Sequence, residues 1–99
     1  MNAVYNTVAK LLESPDRWCQ GASARNEKGD GIYSESPDAC RWCIAGAILR
    51  IYGSLGCPAV YEKMQDALGL KRTDSLILFN DNRKTTHEQI LAAAKKAGI

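Results

Sequence analysis

Cys40 and Cys43 stand three residues apart, a spacing that on a helix would place both thiols on one face, and Cys19, Cys57 or His87 could then complete a tetrahedral zinc site. Structural zinc usually announces itself with paired knuckles, whereas here a single Cys-x-x-Cys has only remote partners. The competing account is packing. Reduced cysteine behaves as a small hydrophobe, and Cys40, Cys43, Ile44, Ala47, Ile48 and Ile51 recur at helical spacing. The same residues also admit a thiol nucleophile at Cys40 or Cys43, with His87 as base and Asn80 or Asp81 orienting it. That chemistry needs the thiolate stabilised by an imidazolium or a helix amino end, and a thioredoxin-like version needs a β-α context that this sequence lacks. His87 precedes Ile90 and Leu91 by three and four residues, which places it in the first turn of a helix as a boundary residue. No catalytic residue, metal ligand or cofactor is therefore assigned.

Trp18 and Trp42 each precede a cysteine, and tryptophan often anchors an interface, with Arg17, Arg25 and Arg41 at hand for polar contacts. With only seven aromatics in the chain, the core has first claim on at least one of the two. Basic pairs at Lys71-Arg72, Arg83-Lys84 and Lys95-Lys96 could meet phosphates, but a formal charge of +2 without a basic run does not demand a nucleic acid. Asn80-Asp81-Asn82 reads as a polar turn in which the side chains bond nearby backbone donors. Asp30 and Asp38 lack the spacing of a calcium loop, and no glycine-rich loop runs into Lys-Ser/Thr.

The elements that must position these residues fit one domain over residues 1–99, since a chain of this length has no room for a second core. An apolar fraction of 45% and a charged fraction of 24% are those of a globular protein. The amino terminus lacks the pattern of a secretory signal, and the longest apolar stretch, Ile44 to Leu49, is too short for a bilayer. The expectation is a soluble, cytoplasmic protein without membrane contact and with reduced cysteines.

Along the chain, Asn2 caps a first helix to about Glu13 with Val4, Val8, Leu11 and Leu12 on one stripe. Asn26 to Gly31 is a turn signal between two weak strands, Gln20 to Arg25 and Ile32 to Ser34. Ser36-Pro37-Asp38 predicts the start of a central helix to about Tyr52, in which Ala45-Gly46-Ala47 lets another backbone approach closely. Pro58 opens a third helix that Gly69 stops. Ser75 to Phe79 is too short to classify. Thr85 and Glu88 predict a capping box for a last helix to about Ala97. The fold expected is mainly α, about four helices with a small β-hairpin between the first two. Arg17-Trp18-Cys19 recurs as Arg41-Trp42-Cys43, which is read as coincidence or local convergence because the flanking residues differ.

Trp18-Cys19-Gln20-Gly21-Ala22, then Trp42-Cys43 with Gly46-Ala47, then Phe79-Asn80-Asp81 before a threonine-capped helix together form a pattern. In it the chain resembles a family of small uncharacterised bacterial and phage proteins known as a domain of unknown function. The resemblance covers most of the chain. It implies a bacterial or phage source and a helical fold with a hairpin insert, and it implies no activity. Cys40, Cys57 and His87 lie outside the pattern. Trp18, Gln20, Arg25, Trp42, Asn80 and Asp81 are the candidate binding residues. The function expected is a non-enzymatic accessory or interaction protein, of phage or mobile-element type, that binds a protein partner. A thiol- or zinc-dependent protein using Cys40 and Cys43, and a nucleic-acid-binding accessory protein, are the alternatives.

Overall fold

Thr7 begins the first helix, α1 (Val8–Leu11), its hydroxyl accepting from the Lys10 amide at 3.1 Å. The computed structural model describes residues 5–99, so the expected Asn2 cap lies outside the described residues. α1 ends on the guanidinium of Arg17, which donates to the carbonyls of Leu11 at 2.6 Å and Lys10 at 3.1 Å and so satisfies acceptors that a helix end leaves open. Arg17 itself closes a short 3-10 turn, Pro15–Arg17, capped by Ser14.

A three-stranded antiparallel sheet follows, between α1 and the long second helix. Its strands are β1 (Ala24–Arg25), β2 (Gly31–Ile32) and β3 (Arg41–Trp42), in the order β2-β1-β3. β1 and β2 make the expected hairpin, shorter than predicted. Its turn is held by Asn26, whose Oδ1 accepts from the Lys28 and Asp30 amides at 2.9 and 3.0 Å. β3 is new: Ala24 faces Trp42 and Arg25 faces Arg41 in register.

This strand corrects the start of the central helix. Ser36-Pro37-Asp38 forms a turn, with Ala39 N–H donating to the Ser36 carbonyl at 3.1 Å, and Cys40 N–H then donates to the Arg25 carbonyl at 2.9 Å. The local helix-start signal loses to pairing with β1, and α2 (Ile44–Ala67) begins only after Trp42, with Cys43 as its cap. Gly53, at φ 70° and ψ 177°, breaks α2 into two arms, a backbone conformation that a residue with a Cβ rarely adopts. The predicted second and third helices are these arms. The second arm is helical from Ser54, so Pro58 lies inside it and does not open it.

Gly69 stops α2 as expected. Leu70 N–H reaches the Gln65 carbonyl and Gly69 N–H the Asp66 carbonyl, the paired bonds of a Schellman end. The unclassified Ser75–Phe79 run is helical in α3 (Leu76–Asp81), with the Ser75 hydroxyl accepting from the Ile77 and Leu78 amides. The capping box of α4 (His87–Ala97) lies one residue beyond its predicted place, at Thr86 and Gln89. Thr85 points inward instead, and its hydroxyl donates to the Phe79 carbonyl at 2.7 Å. The fold is thus mainly α, with α1, α3 and α4 packed on α2 around Val8, Leu11, Ile44, Ile48, Met64, Leu76 and Ile90. Ile44–Ala67 has the length and composition, by those criteria alone, of a helix able to cross a membrane; in this fold it is kinked at Gly53 and gives Ile44, Ala47, Ile48, Val60 and Met64 to the core.

Candidate functional site

The two Arg-Trp-Cys copies lie side by side. Trp18 forms a parallel bridge with Trp42, and Cys19 N–H donates to the Trp42 carbonyl at 3.1 Å. The recurrence, read from the sequence as coincidence or local convergence, thus joins the segment after the 3-10 turn to the sheet edge at β3. Trp42 is buried and donates from Nε1 to the Ser34 carbonyl at 2.9 Å, with the Arg50 guanidinium 5.4 Å from its ring centre. Trp18 is half-buried, its ring 6.1 Å from that of His87.

Asn80 is the centre of this region. It is fully buried at the end of α3, and its Oδ1 accepts from Trp18 Nε1 at 2.7 Å and from the Ile44 amide at 3.0 Å. Its Nδ2 donates to the Cys19 carbonyl at 3.1 Å and to Asp81 Oδ1 at 3.0 Å. Those four bonds exhaust the capacity of a carboxamide. The Asp81 Oδ1 also accepts from the Gly21 amide at 2.9 Å, and Gln20 Nε2 donates to the Asn80 and Asn82 carbonyls at 2.8 and 3.1 Å. Arg25 joins at one remove, donating to the Gln20 carbonyl at 3.0 Å and to the Gly29 carbonyl at 2.8 Å.

The structure therefore brings Trp18, Gln20, Asn80 and Asp81 into one cluster, with Arg25 and Trp42 attached to its margins. The polar atoms of this cluster tie the loop after the 3-10 turn to α3 and to the first turn of α2. It acts as a clasp. A saturated, buried Asn80 holds backbone together and has no lone pair or proton left for a ligand.

The cysteines fall on separate structures. Cys40 precedes β3 and its Sγ donates to the Arg25 carbonyl at 3.6 Å, whereas Cys43 caps α2 and its Sγ accepts from the Gly46 amide at 3.2 Å. The shared helical face required by the zinc and Cys-x-x-Cys readings does not form. Cys57 sits on the second arm of α2, and Cys19 is buried beside Cys43, its Sγ turned to the Ala22 carbonyl at 3.7 Å. Burial pushes the Cys19 thiol from about 9 up to about 11, with the neighbouring Cys43 adding to the rise. Burial raises Cys43 and Cys57 as well. Such thiols are poor nucleophiles at neutral pH. His87 Nε2 meets the Leu12 carbonyl, a contact that places the proton on that nitrogen.

The exposed features are elsewhere and were not legible as a site. Tyr33, next to β2, is 86% exposed over an open groove of about 670 Å³ lined by Ala22, Ile32 and Leu49. Leu49 also lines an adjoining hollow with Cys57, Pro58 and Tyr61. Leu55 and Leu78 stand 99% and 74% exposed. The one sequence signal for Tyr33 was an aromatic beside Ile32 in a hairpin too short to cover both of its faces.

These features define a small helical domain with a sheet insert, closed by a buried asparagine clasp. The chain belongs to a family of unknown function, DUF6197, whose family model matches residues 1–98. No curated protein and no solved structure matches the chain.

Proposed function

We propose that this protein is a non-enzymatic, cytoplasmic accessory domain of bacterial or phage origin that binds a protein partner through the groove beneath Tyr33. The observation that carries this reading is Tyr33 itself, 86% exposed at the rim of a groove lined by Ala22, Ile32 and Leu49. Leu49 also borders the hollow of Cys57, Pro58 and Tyr61, whose walls carry Glu62, Gln65 and Arg72 as well. An exposed aromatic at the rim of a groove is a side chain enriched in binding hot spots. The tryptophans favour this placement indirectly. Both are engaged within the fold, which leaves Tyr33 as the exposed aromatic among the described residues.

A photo-crosslinking residue placed at Tyr33 in the source cell tests the proposal, with the same residue placed at exposed Glu88 on α4 as control. The expected result is a discrete adduct with a second protein from position 33 only. Equal labelling from both positions, or an adduct containing only a second copy of this chain, contradicts it.

A further inference from the structure

Three arginines from three different elements converge on a second cavity, on the side of the molecule formed by α1, the 3-10 turn and β3. Arg17 from the turn, Arg41 from β3 and Arg50 from the first arm of α2 line a half-open space of about 610 Å³ together with Tyr5 and Trp42. Each guanidinium is held by backbone carbonyls. Arg17 donates to Leu11 and Lys10, Arg41 Nε to Asp16 at 3.2 Å, and Arg50 Nη1 to Ser34 at 3.1 Å and Ser36 at 2.8 Å. Aromatic rings steady two of them, Arg17 lying 4.8 Å from the centre of Tyr5 and Arg50 lying over Trp42.

Carbonyls orient a guanidinium without neutralising it. None of these three arginines forms an ion pair with a carboxylate among the described residues, although Arg72 takes both Glu62 and Asp66. Donors remain on each: Nη1 of Arg17, both Nη atoms of Arg41, and Nε and Nη2 of Arg50 make no hydrogen bond among the described residues. The carboxylates of Asp16 and Glu27 also line the cavity, so its charge is net positive but moderate. Three guanidiniums with spare donors around one space, two of them held firmly and Arg41 through a single bond, suit the three terminal oxygens of a phosphate better than the two of a carboxylate, and Arg rather than Lys is the residue that supplies such planar, bidentate contacts.

We propose that this cavity binds a phosphate group, with Arg17, Arg41 and Arg50 each donating to it. The apolar part of the lining, Pro37, Ala39 and Ile51, leaves room for the organic part of a phosphomonoester. The site is separate from the groove beneath Tyr33, and either can stand without the other.

The test is a titration of the full chain, followed by amide and arginine side-chain NMR shifts at constant ionic strength, with inorganic phosphate, phenyl phosphate and citrate. Arg41→Gln is the diagnostic variant, because Arg41 holds one carbonyl only and its loss leaves the fold standing, which a melting curve verifies. Arg83→Gln, in the exposed turn between α3 and α4, is the control. Saturable shifts with a phosphate, confined to the surroundings of Arg17, Arg41 and Arg50, are expected. Affinity should fall about tenfold or more in Arg41→Gln and stay within about twofold in Arg83→Gln. Tighter binding of phenyl phosphate assigns an esterified ligand and equal binding a free ion. Absence of saturation with either phosphate, equal losses in both variants, or citrate binding more tightly than phosphate overturns the proposal.

Discussion

Trp18 Nε1 donates to Asn80 Oδ1 at 2.7 Å, across 62 positions of sequence, and the same oxygen accepts the Ile44 amide that opens α2. One buried carboxamide thus fixes the loop before the sheet, the end of α3 and the start of the core helix. Removing it as Asn80→Ala leaves a tryptophan N–H, a backbone N–H and the Cys19 carbonyl without their partner. Each orphaned group costs about 1–3 kcal/mol, so the expected loss is about 3 kcal/mol or more. Urea denaturation should show a lower midpoint with the slope unchanged; Trp18→Phe, which removes one donor, should cost about 1–2 kcal/mol.

Gly46 sits where the Ser23 backbone crosses α2. A Cβ built on it would come within 2.0 Å of the Ser23 carbonyl oxygen, which also accepts the Cys43 amide at 3.1 Å. Gly46→Ala must therefore push the sheet off the helix. A destabilisation of about 2 kcal/mol or more is expected, larger than for Gly56→Ala on the second arm, where the nearest atom is a tyrosine Cβ at 3.2 Å. Equal thermal shifts for the two variants would show that the close approach is not what Gly46 provides.

The small-residue stretch around Gly46 was legible in the sequence because close helix contact needs little beyond local composition. So were the last helix, the existence of the two arms of α2, the Asn26 turn and the Gly69 stop, each of which rests on short-range bonding, whereas the run that forms α3 was too short to classify. What escaped was decided at long range. Ser36-Pro37-Asp38 has every local mark of a helix start, yet Cys40 and Arg41 pair with Arg25, fifteen and sixteen residues earlier in the chain. Asn80 reads locally as a turn residue, and only the fold brings Trp18, Cys19 and Ile44 to its side chain. The Arg-Trp-Cys recurrence carried real information about pairing, but two three-residue copies in unlike surroundings give no way to infer that they lie side by side.

The placement of the last cap gives a sharp comparison. Thr86→Ala removes the hydroxyl that accepts the Gln89 amide and should cost about 1 kcal/mol. Thr85→Val keeps the shape of a buried side chain but removes the 2.7 Å donor to the Phe79 carbonyl, which keeps only the Asn82 amide at 3.3 Å, and about 1 kcal/mol is expected. Had the cap lain at Thr85, a Glu88→Ala change would be costly; here it should move the melting temperature little.

The thiols should separate by burial. With a maleimide at neutral pH, the half-buried Cys40 and Cys57 should be modified before the buried Cys19 and Cys43, as read by peptide mass mapping. Cys19, raised from about 9 to about 11, favours the folded state while its thiol stays protonated. Its contribution is complete below about pH 9 and is lost as pH rises toward about 11, because the unfolded chain releases that proton first. Melting temperatures across this range should fall more steeply in the native chain than in Cys19→Ala, and parallel curves would exclude the effect.

The groove beneath Tyr33 is tested most directly by the affinity of the protein captured from position 33 for the purified chain and for Tyr33→Ser. Tyr33 is 86% exposed and contributes little to the core, so the variant should melt as the native chain does. The account predicts that Tyr33→Ser weakens binding by about thirtyfold, the loss of one hot-spot side chain. An affinity unchanged within about twofold, with the melting temperature also unchanged, would place the binding surface elsewhere.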